Sequence, residues 1–224
     1  MRFHSQSYEK SGFTLLETVI AIGIILFGLL SILTLSTSSL VVSNVTSDEF
    51  LAANFAREGI EIIRTQRDTN WLKFDSDSTT EWDDGLSAGT NYSALVSFDA
   101  FDLTGSYLDF RPEDFGDTCP GASSSNYDCT AIWFDPATNL YIQTTQSTFD
   151  STMYTQTDFS RLVYTYPVCR NDSDETDEVV VTSGLCAAGY TKVGIDAQSV
   201  VEWPGRNNIT STYTLEEYIY DWKF

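Results

Sequence analysis

An uninterrupted apolar run from Phe13 to Leu35, FTLLETVIAIGIILFGLLSILTL, dominates the hydrophobic pattern of the chain. Its 23 residues hold one ionisable side chain, Glu17. As a helix rising about 1.5 Å per residue the run covers about 34 Å, enough to cross a bilayer. Residues 1–12, MRFHSQSYEKSG, are polar and carry Arg2, Glu9 and Lys10. The run is too long for the apolar core of a secretory signal, and no A-x-A cleavage site follows it. The nearby bases precede it and the next one is Arg57. Positive-inside logic therefore places residues 1–12 in the cytoplasm and the rest outside. From Val45 to Arg67 the pattern turns amphipathic. Ala52, Phe55, Ala56, Gly59, Ile60 and Ile63 recur at spacings of three and four, while Asp48, Glu49, Arg57, Glu58, Glu61 and Arg64 take other faces. With no proline before Pro112, one helix is predicted from about Phe13 to about Asp68, roughly 80 Å long. Its outer half should lay the apolar stripe on a globular head, with a second role for the stripe between subunits left open. Gly23 and Gly28 lie five apart, a weak signal for close helix approach.

Beyond the helix the pattern shortens. Trp71 to Gly89 is polar and rich in turn formers. Strands are predicted at Tyr92–Phe101, Leu140–Thr144, Phe159–Tyr166, Thr191–Trp203 and Asn208–Tyr220. Asp135-Pro136-Ala137-Thr138-Asn139 reads as the turn before the second of these. Partial alternation in Thr191–Trp203 points to a bulge or a two-part strand. Pro204-Gly205-Arg206-Asn207-Asn208 should close the last two strands into a hairpin. The tail Leu215–Trp222 has a short helix as its alternative. The predicted class is α+β: a long N-terminal helix packed on an antiparallel sheet.

Composition narrows the function. Among 224 residues, 32 acids face 12 bases, for a formal net charge of −20. Such a chain repels phosphate backbones, so no nucleic-acid partner is expected. Beyond residue 73 the bases are Arg111, Arg161, Arg170, Lys192, Arg206 and Lys223. The single histidine, His4, lies in the N-terminal segment. If that segment is removed, Ser-His-Asp and Cys-His catalysis and His-bearing metal sites are excluded.

Glu17 is the anomaly, because a carboxylate in an apolar helix costs a few kcal/mol, by insertion scales about 2.5–3.5 at the centre of a span; the alternative is that it sits near enough to the interface to stay wet. Gly12-Phe13-Thr14-Leu15-Leu16-Glu17, followed by the apolar run, resembles the processing site of type IV pilins and pseudopilins. The resemblance implies cleavage between Gly12 and Phe13 by prepilin peptidase, methylation of the new N-terminus at Phe13, and pairing of Glu17 with the terminal amine of a neighbouring subunit. The physics agrees: a buried carboxylate beside a buried ammonium turns two desolvation costs into an attractive pair that selects register. Many major pilins carry a proline at the twenty-second mature position, which here is Thr34. That departure, with the Leu-Leu-Glu wording, looks more like the minor pseudopilin I or minor pilin V groups. The strand, Val201-Glu202-Trp203, turn, strand and aromatic end also resemble the C-terminal hairpin of those subunits, less specifically.

The resemblance implies a pilin fold with a leader at 1–12, a membrane and fibre-core helix at 13–35, its amphipathic continuation at 36–70, and an extracytoplasmic β-rich head at 71–224. It implies a structural subunit that catalyses nothing and has three partners: prepilin peptidase, other pilins of one filament and an inner-membrane assembly platform. It also implies a single-pass inner-membrane protein that later enters a periplasmic or surface filament. Two rivals stay open. One is a membrane-anchored enzyme or binding module using a carboxylate pair. The other is an adhesive tip pilin stacking ligands on Trp82, Trp133 or Trp203.

Four cysteines, Cys119, Cys129, Cys169 and Cys186, form no C-x-x-C pair. An even count on an extracytoplasmic head favours disulfides, and of the three connectivities Cys119–Cys129 with Cys169–Cys186 closes two polar loops. Reduced, buried cysteines are the rival. No cofactor is expected. The acidic loops Asp75–Glu81 and Asp172–Glu178 are weak calcium candidates, with Asp172, Asp174 and Glu178 as ligands of the second, but neither has the glycine and late glutamate of an EF-hand. Sequons at Asn44, Asn91, Asn171 and Asn208 carry little weight if, as the pilin resemblance implies, the protein is prokaryotic.

Overall fold

The computed structural model of the chain describes residues 14–74, 81–86, 92–99, 109–114, 130–143, 154–182, 184–205 and 209–222, with 92–99 and 109–114 as backbone. One helix, α1 (Leu15–Phe74), precedes eight strands among these residues. They are β1 (Tyr92–Asp99), β2 (Asp109–Asp114), β3 (Ala131–Asp135), β4 (Leu140–Ile142), β5 (Thr155–Asn171), β6 (Asp174–Val180), β7 (Tyr190–Pro204) and β8 (Thr210–Tyr220). The α+β class predicted from the pattern is what the chain adopts. By its contacts the chain divides into two units, Met1–Ser47 and Asp48–Phe224.

In the first unit α1 is long and apolar enough to cross a membrane. Its large side chains from Leu15 to Val45 are exposed, Leu15 and Phe27 by about four-fifths. Thr14 caps the first turn, taking the Glu17 N–H on its carbonyl at 3.0 Å and on its hydroxyl at 3.4 Å. Four hydroxyls in and just after the apolar run donate back to helix carbonyls: Thr18 to Leu15, Ser31 to Phe27, Thr34 to Leu30 and Ser31, and Thr37 to Leu33 and Thr34. A polar group in hydrocarbon must find its partner within the segment, and these do. Thr34 leaves the helix intact where a proline would break it.

In the second unit, residues 48–74 of α1 lie on the sheet through the expected stripe. Ala52, Phe55, Ala56, Gly59, Ile60 and Ile63 are all buried, joined by Ile62, Asn70 and Trp71. The helix ends at Phe74, six residues beyond the expected Asp68, because Asn70 and Trp71 are themselves anchored: Asn70 Nδ2 donates to the carbonyls of Trp82 at 3.1 Å and Asp84 at 2.7 Å. Gly59 marks the closest approach. A Cβ there would stand 2.6 Å from Ser199 Oγ and 3.0 Å from Val163 Cγ2.

All strand pairs are antiparallel, and β5 is the hub. One of its edges is covered by β7 from Ser160 to Asn171, and β8 follows β7. Its other edge takes β3, then β1, then β6, with β4 outside β3 and β2 outside β1. The helix-facing residues Phe159, Val163, Ile195, Ala197, Val201, Trp203 and Ile219 build two adjoining cores with α1. Ala131, Trp133 and Ile142 form a smaller third.

Several expectations need correction. The tail keeps the expected strand to Tyr220 and does not take its short-helix alternative, since β8 stays in register with β7 from Pro204↔Thr210 to Gly194↔Tyr220. Strand β5 extends well past Phe159–Tyr166 in both directions, and β4 stops at Ile142. Three strands, β2, β3 and β6, were not expected at all. The sequences of β2 and β6, DFRPED and DETDEVV, are acidic edge strands, which natural sheets charge or break with proline to block further pairing. The bulge in β7 is present: Val168 faces Gly194 and Cys169 faces Lys192, which leaves Val193 as the extra residue. The β3–β4 turn forms as predicted. Asp135 accepts from the Ala137 N–H and the Thr138 hydroxyl, and Asn139 takes φ 58°. Those bonds hold the Asp135 carboxyl below its ordinary value.

Candidate functional site

The N-terminal site is built by the start of α1. Thr14 is the last residue before the helix and Glu17 lies in its first turn. Thr14-x-x-Glu17 has capping-box spacing, which marks the helix start in the sequence itself. The Glu17 side chain is exposed, at the positive end of the helix dipole, where a carboxylate is favoured. Gly12 and Phe13, the residues of the expected cleavage and methylation, lie outside the described residues.

In the head, a polar cluster ties helix to sheet. The strand β5 alternates Phe159, Arg161, Val163 and Thr165 toward α1. Arg161 is 3% exposed. Its guanidinium donates to Glu58 Oε2 at 2.7 Å, to the Phe55 carbonyl at 2.9 Å and to Gln143 Oε1 at 3.0 Å. Gln143, equally buried, returns its amide to the carbonyls of Thr130 at 2.6 Å and Arg161 at 2.8 Å. Burial pushes Arg161 down from its ordinary pKa, and Glu58 opposes that shift. Further along, Arg64 joins Glu217 and Glu61, Arg67 donates to the Tyr220 carbonyl at 3.2 Å, and Lys192 meets Asp83 while lying 5.4 Å from the Trp82 ring centre. These contacts hold the head to its own helix segment; none converges on a cleft.

The predicted ligands and anchors are placed as follows. Cys169 and Cys186 form a disulfide, with Cα atoms 5.6 Å apart. Cys119 and Cys129 lie outside the described residues, as do residues 75–80 of the first acidic loop. In the second loop the three carboxylates do not converge. Asp172 accepts from the Thr191 hydroxyl, Asp174 from the Thr176 N–H and hydroxyl, and Glu178 from Arg170 and Tyr220. Asp174 and Glu178 belong to β6 and its turn, so strand geometry spreads them apart. These bonds lower the pKa of Asp174 and of Glu178. Among the described residues no group of three or more His, Cys, Asp or Glu is arranged to hold a metal ion.

Two tryptophans offered for stacking are occupied in cores: Trp133 and Trp203 are each 8% exposed. Trp82 is half-buried against the first core and under Lys192. A cleft of about 290 Å³, lined by Asp158, Ser160, Glu202, Trp203, Pro204 and Thr210, opens at one end of the sheet.

The disulfide closes a separation of 17 residues around the β6 hairpin. In the chain-entropy model a loop of that size is worth about 3 kcal/mol. Replacing Cys169 and Cys186 together with alanine should lower stability by about that amount, read as a shift in denaturant midpoint of the detergent-solubilised chain. Reductant should destabilise the parent, with a smaller effect on the variant.

No family model matches the chain, and neither a curated protein nor a solved structure matches it.

Proposed function

We propose that this chain is a minor structural subunit of a type IV pilus or a type II secretion-like filament. The observation that carries the reading is an apolar helix with no cover of its own, bearing one carboxylate in its first turn directly after Gly12-Phe13-Thr14. Side chains exposed from Leu15 to Val45 need either lipid or other helices around them. A chain that first spans a membrane and later joins a helical bundle meets both needs. In this reading residues 1–12 lie in the cytoplasm and the head outside. Prepilin peptidase cuts after Gly12, Phe13 is methylated, and the processed chain leaves the inner membrane through the assembly platform to join other pilins. The head is a rider on the helix, and the polar ties of Arg161, Arg64 and Arg67 keep it there.

The test is the mass of the chain recovered from cells that contain a prepilin peptidase. Loss of residues 1–12 together with gain of one methyl group is the expected result. An intact chain, or one cut after the apolar run, overturns the reading. Inactivating the peptidase should leave the full-length, unmethylated form in the membrane.

A further inference from the structure

We propose that the sheet face turned away from α1 is a docking surface for an arginine-bearing segment of a partner protein, with the guanidinium seated on Asp196 between Tyr166 and Tyr218. The inference is independent of the filament reading, since it rests on the head alone.

Strand alternation defines the surface. Phe159, Arg161, Val163 and Thr165 of β5, Ile195, Ala197 and Ser199 of β7, and Leu215, Glu217 and Ile219 of β8 face α1 or its cores. Their neighbours therefore face the other way. Register sets them in rows across three strands: Tyr166, Asp196 and Tyr218 in one, Tyr164, Gln198 and Glu216 in the next. Tyr164 and Tyr166 stack with centroids 6.4 Å apart and planes 2° apart, and Tyr218 and Tyr220 stack at 6.5 Å and 20°.

Asp196 is the unusual member. It is 2% exposed. One oxygen, Oδ2, accepts from Gln198 Nε2 at 2.9 Å, and the other, Oδ1, has no hydrogen-bond partner among the described residues. Burial pushes its carboxyl up, and Glu216 adds to the shift. A buried carboxyl with a bare oxygen is costly to keep; the oxygen is covered in this structure, so an arriving donor relieves that cost once the side chains over it part. Arg64, Arg67, Arg161 and Lys192 are engaged on the α1 side of the sheet, and Arg170 is engaged with Glu178.

The flank of the seat is itself constructed. Gly194 has no side chain, and a Cβ there would stand 3.0 Å from Tyr220 Cδ1. The Tyr220 ring thus crosses β7 and donates its hydroxyl to Glu178 Oε2 at 2.9 Å. The two stacked pairs lie on the strands either side of Asp196, and tyrosine rings beside a carboxylate suit a guanidinium, which stacks on π faces while its fork donates to oxygen. An ammonium lacks the flat face. A second copy of this chain, at net charge −20, is repelled from the same acidic surface.

The test uses the full chain in detergent micelles and a fluorescently labelled tetra-arginine peptide, read by anisotropy. Asp196→Asn should weaken binding about tenfold and Tyr218→Ala by several-fold, because charge pairing and ring stacking both contribute. Glu49→Gln, the same charge change at an exposed helix position, should leave affinity within about twofold. Equal weakening by Asp196→Asn and Glu49→Gln overturns the proposal in favour of general attraction to an acidic protein. Absence of peptide binding, or equally tight binding of tetra-lysine, overturns it as well. Thermal unfolding of each variant separates lost binding from lost fold. Asp196→Asn is expected to unfold no earlier than the parent near neutral pH, and Tyr218, 46% exposed, supplies a second variant that the core does not depend on.

Discussion

Replacing Arg161 with alanine is expected to cost about 3–5 kcal/mol of head stability. Two physical losses add. The guanidinium and its stem are 97% removed from solvent, so truncation opens a void between β5 and α1. Gln143 Oε1, also buried, then has no donor at 3.0 Å. Glu58 contributes less, because its side chain is 38% exposed and turns to water when its partner goes. The variants should rank accordingly. Arg161→Lys keeps the charge but not the fork that reaches Glu58, Phe55 and Gln143 together, so it should fall between parent and alanine. Arg161→Met with Gln143→Leu removes both sides of the polar contact and fills the volume, and should recover most of the loss. Urea midpoints of the four proteins give the order. An alanine variant as stable as the parent would show the cluster to be incidental.

On the proposed filament reading, Glu17→Ala should sharply reduce incorporation into the filament while leaving the proposed cleavage after Gly12 in place. A carboxylate beside lipid is disfavoured, so the parent gains when a neighbouring terminal ammonium arrives, whereas the alanine chain gains nothing and rests more comfortably in the bilayer. Both shifts act against extraction. Processed subunits should therefore accumulate in the membrane, with filament-borne subunit reduced more than about tenfold, the ratio that follows from about 1.4 kcal/mol of lost differential stabilisation. Immunoblots of sheared filaments and of membranes, run with the mass measurement, check both halves. Unchanged incorporation would remove Glu17 from the assembly mechanism.

How far the pattern of residues carried the structure depends on whether burial followed hydrophobicity. It did along α1, where six small and apolar residues at helical spacing became the contact face, and in the β7–β8 hairpin, where a proline-glycine turn separated two alternating runs. The Cys169–Cys186 pair was legible because both cysteines bound one polar loop. Arg161 and Asp196 were not legible. Arg161 sits at an inward position of its strand and Asp196 on the opposite face of the sheet, but each is a residue type ordinarily solvated; partners from distant segments make the burial of Arg161 tolerable, whereas Asp196 has only Gln198, two residues away. Arg161 occupies the phase of Phe159 and Val163, so the signal existed in the spacing and was masked by chemistry. The acidic strands β2 and β6 escaped for the opposite reason: an edge strand need not be apolar, since its backbone pairing rather than its side chains keeps it in place.

The hydroxyls of Thr18, Ser31, Thr34 and Thr37 donate to carbonyls of their own helix. A segment that carries its acceptors along is portable. Moving it from one oily surrounding to another exchanges dispersion contacts alone and leaves these four groups with the partners they started with.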